Sequence, residues 1–584
     1  ASISPPLLAP LGDPASVEPA ASATAAFPPP GEARWAAALG ATAGAALVGI
    51  VVVARAGSAL WTPAPTGELD RLLLVGALGS LLVMPALLWL LLGRGSALAP
   101  RPSVPHLEAI VVGAVAVAFG GVVVLNILQQ PPFSWDEAVY ALTTRHWLYG
   151  TPDTGWGAHR PPVLSILAMA PLAVASDEAS LRVIGLAFGV AAVLATWWLG
   201  RSLAGPWAGV TAAAAVAAAP TIQIDAGLLL NDVPALAVLL LLMATLARQL
   251  QGSGPIGWSF LWLAPLAALA FYIRYGSILA LAAVGLTAVA LWPWRLAAAW
   301  PKVLVTALLL VLLLLPHAIF ATLQTGSPLG IFLLAQSGAA GAYPGAGLVQ
   351  YLAWLPSGLI GPVAGAVAVI GLLGGIVRLV SAARRGSWDP SARAAAFLLV
   401  PALLLIGVLG AFQLPQSRYL FLPMVLLVIA GAAAIVDVAR APSQLARPAS
   451  VVVVAVLGLA LVGSAVTMPA RSDARAAVYE WLRDAGSWIR DAGPGSCSIL
   501  ASDVPQLTWY SGCATYNFAD TGSAGREGLL TGERRYLVLR RDGRFQPSGE
   551  VLAAYLSLVD PEPVAAFENR NGVVVASVYR FAGH

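Results

Sequence analysis

The feature that most constrains this chain is the recurrence of apolar runs about 20 residues long, the length an α-helix needs to cross a hydrocarbon core. Such runs lie near 36–54, 71–93, 107–128, 179–200, 206–222, 232–248, 258–272, 276–292, 303–321, 353–377, 393–412, 419–437 and 449–468. Inside lipid the backbone has no water to bond, so each run is expected to satisfy its own N–H and C=O groups as a helix. The fold class expected is therefore an α-helical polytopic membrane protein of about 13 transmembrane helices, with 206–222 and 258–272 short for a bilayer. Only 10% of the residues are charged, against about a quarter in soluble domains.

Orientation follows from the arginines, because cytoplasmic loops carry the excess of positive charge. Arg94 and Arg101, Arg201, Arg248, Arg295 with Lys302, Arg378 through Arg393, and Arg440 with Arg447 fall in alternate loops when the N-terminus is inside. That assigns 129–178, 223–231, 322–352, 413–418 and everything from 470 onward to the outer side of a multi-pass cell membrane protein. Residues 1–33, rich in Pro, Ala and Ser, lack the basic start and apolar core of a signal peptide and are read as a disordered cytoplasmic tail. Two additional spans occupy 34–105, and a transmembrane domain covers 106–469. Its outer loop, 129–178, contains an apolar piece, Val163–Ala175, too short to cross and read as an interfacial or re-entrant helix.

Charged residues become frequent after Pro469, and 470–584 is read as a soluble extracytoplasmic α/β domain. Ala474–Asp491 has helical apolar rhythm, Ser498–Ala501 and Tyr536–Leu539 have strand character, and Asn571-Gly572 occupies a hairpin-turn position. The two cysteines, Cys497 and Cys513, both lie here and are candidates for a disulfide in an oxidising compartment. Lys302 is the single lysine, and the basic residues are dispersed rather than clustered with aromatics, so the net charge of +4 carries no nucleic-acid inference. No phosphate-binding Gly-rich loop, HExxH or GxSxG in suitable context is present, which disfavours nucleotide-driven transport.

Against this apolar background the stretch Pro131-Pro-Phe-Ser-Trp-Asp-Glu-Ala-Val-Tyr140 stands out. Ionisable groups near membrane depth cost a few kcal/mol on insertion scales and usually face a cavity. On a helix Asp136 and Glu137 diverge by about 100°, while Asp136 and Tyr140 share a face. One carboxylate can then face a cavity while the other supports it. The alternative is a capping Ser134 followed by acids in the first helical turn. Asp232 opens a later span on the same side, where Asn231 and Pro234 also suit an ordinary helix start. His159, Arg160, Arg274 and Arg418 are outer-side candidates for holding an anion, since an arginine fork binds phosphate oxygens bidentately; snorkelling at helix ends is the competing reading for each arginine.

Trp135-Asp-Glu-Ala-Val-Tyr140, Leu148-Tyr-Gly150 and His159-Arg-Pro-Pro-Val-Leu164 together resemble the first outer loop of GT-C glycosyltransferases in the protein O-mannosyltransferase and lipid A aminoarabinose transferase group. Leu181-Arg182, Asn231-Asp232-Val-Pro234, Tyr272–Tyr275 and Arg418-Tyr-Leu-Phe-Leu-Pro423 extend the resemblance over roughly 105–470. Arg160 stands where many relatives carry lysine. The resemblance implies an inverting transfer of a sugar from a polyprenyl-phosphate donor to a glycan, lipid or protein acceptor. It implies Asp136 as base with Glu137 beside it, and Asp232, Tyr140 and Tyr419 as cavity lining. Arg160, Arg274, Arg418 and His159 would hold the donor phosphate. Some members of the group bind a divalent metal and others do not, so no cofactor is assigned and a metal is left open. A transporter or flippase of anionic lipid, or a non-catalytic subunit of the same fold, is the alternative.

Overall fold

The computed structural model describes residues 106–154, 160–175, 177–338, 344–355, 357–412, 415–440, 446–518, 533–543 and 546–582. The expected tail, the spans at 36–54 and 71–93, and His159 lie outside the described residues.

Among those residues, eight helices are long and apolar enough to cross a membrane, or nine if one bent pair is counted as a span. They begin with α1 (His106–Leu128). Two short helices follow, α2 (Trp135–Tyr149) and α3 (Val163–Val174). The latter, at 12 residues, cannot cross. Next comes α4 (Glu178–Ala204), capped by Asp177, whose carboxylate accepts from Ser180 N–H, and stopped by Gly205 and Pro206.

The expected span at 206–222 is instead two helices, α5 (Pro206–Ala217) and α6 (Pro220–Ala226), bent by 71°. Pro220 cannot donate into a continuous helix and breaks the run. After α7 (Asp232–Gln251), the runs at 258–272 and 276–292 also fall short of a full span. They form a 3₁₀ turn leading into α8 (Leu263–Ile273), then α9 (Ser277–Leu291), with Arg274, Tyr275 and Gly276 at the break.

Four long helices complete the bundle: α10 (Trp300–Thr325), α11 (Pro362–Arg385), α12 (Pro390–Phe412) and α13 (Phe421–Arg440). In the run expected at 353–377 the long helix starts only at Pro362, after a separate short helix, Ser357–Ile360. Gly361, at φ +95, turns the chain between the two.

Burial sorts these helices. The most apolar windows of α7 and α13 are 83% buried, whereas that of α10 is 17% buried and exposes Leu308, Val311, Leu312 and Leu315. Thus α7 and α13 form the centre, and α10 presents leucines where lipid would lie. The backbones of α11 and α13 cross closely because Gly371 faces Leu427 and Gly431 faces Val367, where a Cβ on either glycine would overlap a carbonyl oxygen.

One helix, α14 (Ala446–Asp491), runs through the change of texture at Pro469 and carries the chain into the C-terminal domain. There, β1 (Cys497–Leu500), α15 (Val504–Ser511), β2 (Ala514–Tyr516), β3 (Arg534–Arg540), β4 (Ala565–Glu568) and β5 (Val574–Arg580) form a five-stranded sheet ordered β2-β1-β3-β5-β4. β1 pairs in parallel with β2 and β3, and β5 is antiparallel to β3 and β4. The Asn571-Gly572 turn joins β4 to β5, with Gly572 at φ +71. Trp481, Leu482, Ala485 and Ile489 of α14 pack on the sheet with Ile499, Leu507 and Val538. Cys497 and Cys513 are joined in a disulfide.

Candidate active site

Helix ends from four parts of the chain meet at one point. Asp136 lies in the first turn of α2, Asp232 in the first turn of α7, Arg274 at the end of α8 and Arg418 in the 3₁₀ turn Ser417–Leu420 before α13. The carboxylates are favoured there by the unpaired N–H groups of a helix start. Arg160 arrives from the turn before α3. Its Nη2 donates to Asp136 Oδ1 at 2.6 Å, and Arg418 Nη2 donates to Asp136 Oδ2 at 2.9 Å. Arg274 Nη1 lies 2.9 Å from Asp232 Oδ1, and Arg418 Nη1 lies 3.6 Å from Asp232 Oδ2. Arg418 therefore bridges the two acids, and Gln416 Oε1 accepts from its Nε at 2.7 Å. The Tyr419 ring lies 4.9 Å from the Arg274 guanidinium carbon and 5.9 Å from that of Arg418.

Two acids and three guanidinium groups leave this cluster one positive charge in surplus. The contacts on Asp232 are charge contacts: neither of its oxygens, both buried, accepts an aligned hydrogen bond among the described residues. A buried carboxylate with open lone pairs suits a hydroxyl donor. Burial alone would raise the Asp136 pKa, but the charges of Arg160 and Arg418 outweigh it and hold the carboxyl below its usual range. Tyr140, 2% exposed, is kept protonated chiefly by burial, with Asp136 and Asp232 adding to the effect.

Asp232, Arg274 and Arg418 also line the head of a cleft whose walls include Leu236, Leu239, Leu279, Leu405 and Leu409. A charged mouth thus opens onto apolar walls between α7, α9, α12 and α13.

Glu137 is placed away from this cluster. It is fully buried, and Oε2 accepts from the backbone N–H of Ser134 at 3.0 Å and its hydroxyl at 2.9 Å. Oε1 accepts from Arg182 Nε at 3.0 Å and Leu229 N–H at 3.1 Å. Gly185 lets the 226–229 segment approach this closely, since a Cβ there would overlap the carbonyls of Ala226 and Leu228. The capping reading of the acidic pair thus describes Glu137, and the arginine cluster takes Asp136. Of the expected phosphate ligands, Arg160, Arg274 and Arg418 come together. Arg182 is the buried group that reasoning from loops does not single out, although an arginine inside an apolar run is itself the signal for a buried partner.

A polytopic membrane protein with an acid–arginine cluster over an apolar cleft is the class that these elements define. Its fold is the GT-C fold. Over 81% of this chain and 97% of theirs, the structure superimposes on ArnT from Cupriavidus metallidurans bound to undecaprenyl phosphate, with a TM-score of 0.58 at 13% identity. It also matches the archaeal oligosaccharyltransferase AglB from Archaeoglobus fulgidus in complex with an inhibitory peptide and a dolichol-phosphate, with a TM-score of 0.51 at 14% identity over 75% of this chain and 70% of that one. No family model and no curated protein matches the sequence.

Another structure of the Archaeoglobus oligosaccharyltransferase is a complex with Zn and sulfate. Here, among the described residues, no three His, Cys, Asp or Glu side chains gather. Asp136 and Asp232 both face guanidinium groups, whose positive charge opposes a divalent cation at those carboxylates, so this donor set does not fit one.

Proposed function

We propose that this protein is a glycosyltransferase that moves a sugar from a polyprenyl-phosphate-linked donor to a hydroxyl of a glycan, lipid or protein acceptor on the outer face of the membrane, with inversion. The observation that carries this reading is the convergence of Arg160, Arg274 and Arg418 on Asp136 and Asp232 at the head of an apolar-walled cleft. The surplus positive charge matches a sugar phosphodiester, and the apolar walls match a prenyl chain. The two lipid-bound neighbours with the same fold, ArnT with undecaprenyl phosphate and AglB with a dolichol-phosphate, support the same assignment at the level of reaction type.

In the reaction, the acceptor oxygen attacks the anomeric carbon from the face opposite the phosphate, and the carbon–oxygen bond to phosphate breaks. A single displacement of this kind inverts the anomeric centre. The acceptor proton passes to Asp136, and the prenyl phosphate leaves as a monoester with one more negative charge. Fixed guanidinium groups are most effective where charge develops in this way. In the free protein Asp136 is tied to Arg160 and Arg418, which makes it a weak base. A donor phosphate competes for those two arginines and releases the carboxylate, so donor binding switches the base on. Asp232 accepts a hydroxyl of the sugar or acceptor, and Glu137 holds the start of α2 in place.

The test is transfer of labelled sugar from a panel of polyprenyl-phosphate donors by purified protein in lipid, alongside an assay of lipid movement across vesicles. Transfer supports the assignment. Movement of lipid across the bilayer with no transfer to any acceptor would replace it with a flippase.

A further inference from the structure

The helix that carries Asp136 is gripped at both ends by the C-terminal domain, and none of the gripping residues belongs to the cluster above. At the start of α2, Phe133 N–H donates to Tyr510 Oη at 2.8 Å, and the same hydroxyl donates to Glu178 at 2.5 Å. Arg483 of α14 reaches the Glu178 carboxylate at 3.1 Å and the Gln130 carbonyl at 2.6 Å. Gln130 has φ +46, the one positive φ at a non-glycine residue among the described residues. That conformation costs energy and persists where surrounding contacts impose it. The turn from α1 into α2 is thus held by an arginine of the soluble domain.

At the far end of α2, Arg145 donates to the carbonyls of Trp509 at 3.1 Å and Thr508 at 3.2 Å, in the last turn of α15. Its guanidinium carbon lies 4.3 Å from the Trp509 ring, which also packs on Phe133 at 5.2 Å between centroids. No carboxylate pairs with Arg145 among the described residues. Burial pulls its pKa down to about 10, so it is still a cation at neutral pH. Its charge is balanced by the carbonyl end of α15 and an aromatic face, both supplied by the other domain. α15 is itself fastened, because the Cys497–Cys513 disulfide closes the loop that contains it.

We infer that Tyr510 and Arg483 are positioning residues for the membrane-embedded site: the soluble domain, through α15 and its disulfide, sets where α2 holds Asp136. Tyr510 touches no group of the cluster and acts through Phe133 and Ser134, the residues that precede α2. The activity consequence rests on the transferase reading, whereas the structural consequence does not.

The experiment is hydrogen exchange on the full-length protein in lipid, comparing wild type, Tyr510→Phe and wild type with its disulfide reduced, together with transfer kinetics. The phenylalanine keeps the ring and removes only the hydroxyl. Amides of 130–137 are expected to exchange about tenfold faster or more in both altered forms, since local opening tracks the lost contacts. Transfer kcat is expected to fall about 10–100-fold, with donor KM within about threefold of wild type, as a displaced catalytic group would give. Exchange at 130–137 as slow as in wild type, with changes confined to 497–516, overturns the inference. So does a fall in kcat equalled by an unfolding-scale loss of protection throughout α2 and α4. If wild type transfers no sugar at all, the transferase reading fails, and the exchange measurements alone decide the grip.

Discussion

Asp136 and Glu137 are one peptide bond apart, leave α2 about 100° apart, and meet arginines of different kinds. Glu137 and Arg182 form a closed pair with both side chains at 0% exposure, completed by Ser134 and the Leu229 N–H. Asp136 joins an open network, 20% exposed, whose arginines are 25% and 36% exposed. In the closed pair the partner is fixed and the acceptor sites are filled by protein. In the open network the acid–arginine contacts can be exchanged for contacts with a ligand. The same chemical pairing therefore fastens the loop at one position and offers exchangeable charge at the next.

The largest effect is expected from opening the closed pair. Glu137→Ala leaves the Arg182 guanidinium buried without its counter-charge, and its Nη1 and Nη2 already lack hydrogen-bond partners. Removing one member of a buried ion pair costs about 3–5 kcal/mol. The expected result is a lower melting temperature and loss of the monodisperse peak on size exclusion, whatever the activity. Replacing both residues, as Glu137→Gln with Arg182→Met, should recover most of that loss, because a neutral pair leaves no stranded charge and the glutamine amide oxygen can still accept from Ser134 or Leu229 N–H. A double variant no more stable than Glu137→Ala would show that the Ser134 and Leu229 contacts, rather than the charge, hold the loop.

Asp136→Asn should do the reverse. It keeps the side-chain volume in a half-open position, and its loss frees two arginines that remain near Asp232 and water. The loss of stability is expected to be smaller than for Glu137→Ala, since Asp136 keeps a fifth of its side-chain surface in water and leaves no fully buried charge behind. Transfer should fall by about 10²–10⁴, the usual contribution of a general base. Full activity in this variant would move the base to Asp232, whose oxygens are open to a hydroxyl.

The membrane bundle was legible from the sequence because apolar run length is set by bilayer thickness, and eight of the runs are helices long enough to cross. What run length misses are the breaks. Ala218-Ala219 before Pro220, Gly361 before Pro362 and Arg274-Tyr275-Gly276 each divide or shift an apolar run without a long polar gap. Those breaks matter for the site, since Arg274 occupies one of them. The gathering of Asp136, Asp232 and three arginines follows from helix ends placed on one side, which loop charge suggests. The separate fate of Glu137 depends on Arg182, whose place inside an apolar run signals a buried partner without naming it, and on Gly185 admitting the 226–229 backbone, which local pattern does not show. The hold of Tyr510 on Phe133 joins positions 377 residues apart, beyond any motif.

The smallest effect distinguishes the two acids by pH. Both carboxyls are held below their usual range: burial opposes the shift in each, and the arginine charges prevail, Arg160 and Arg418 at Asp136, Arg182 and Arg475 at Glu137. A folded-state pKa below the unfolded one means that the unfolded chain takes up protons first as pH falls. The stabilisation is then fully present above the unfolded value of about 4 and is lost as pH drops through the lowered one. Between pH 8 and 5 neither acid should make stability depend on pH. Thermal melts of wild type and Asp136→Asn should run parallel over that range and draw slightly together below about pH 4. The convergence should be small, because water screens a network open to solvent. Glu137→Gln, if it folds, should show the larger convergence, its pair being closed to water. A wild-type curve that already approaches Asp136→Asn between pH 7 and 5 would mean that Asp136 titrates near neutrality in the free protein. The arginines would then not be holding it ionised, and a donor phosphate would not be needed to release it as a base.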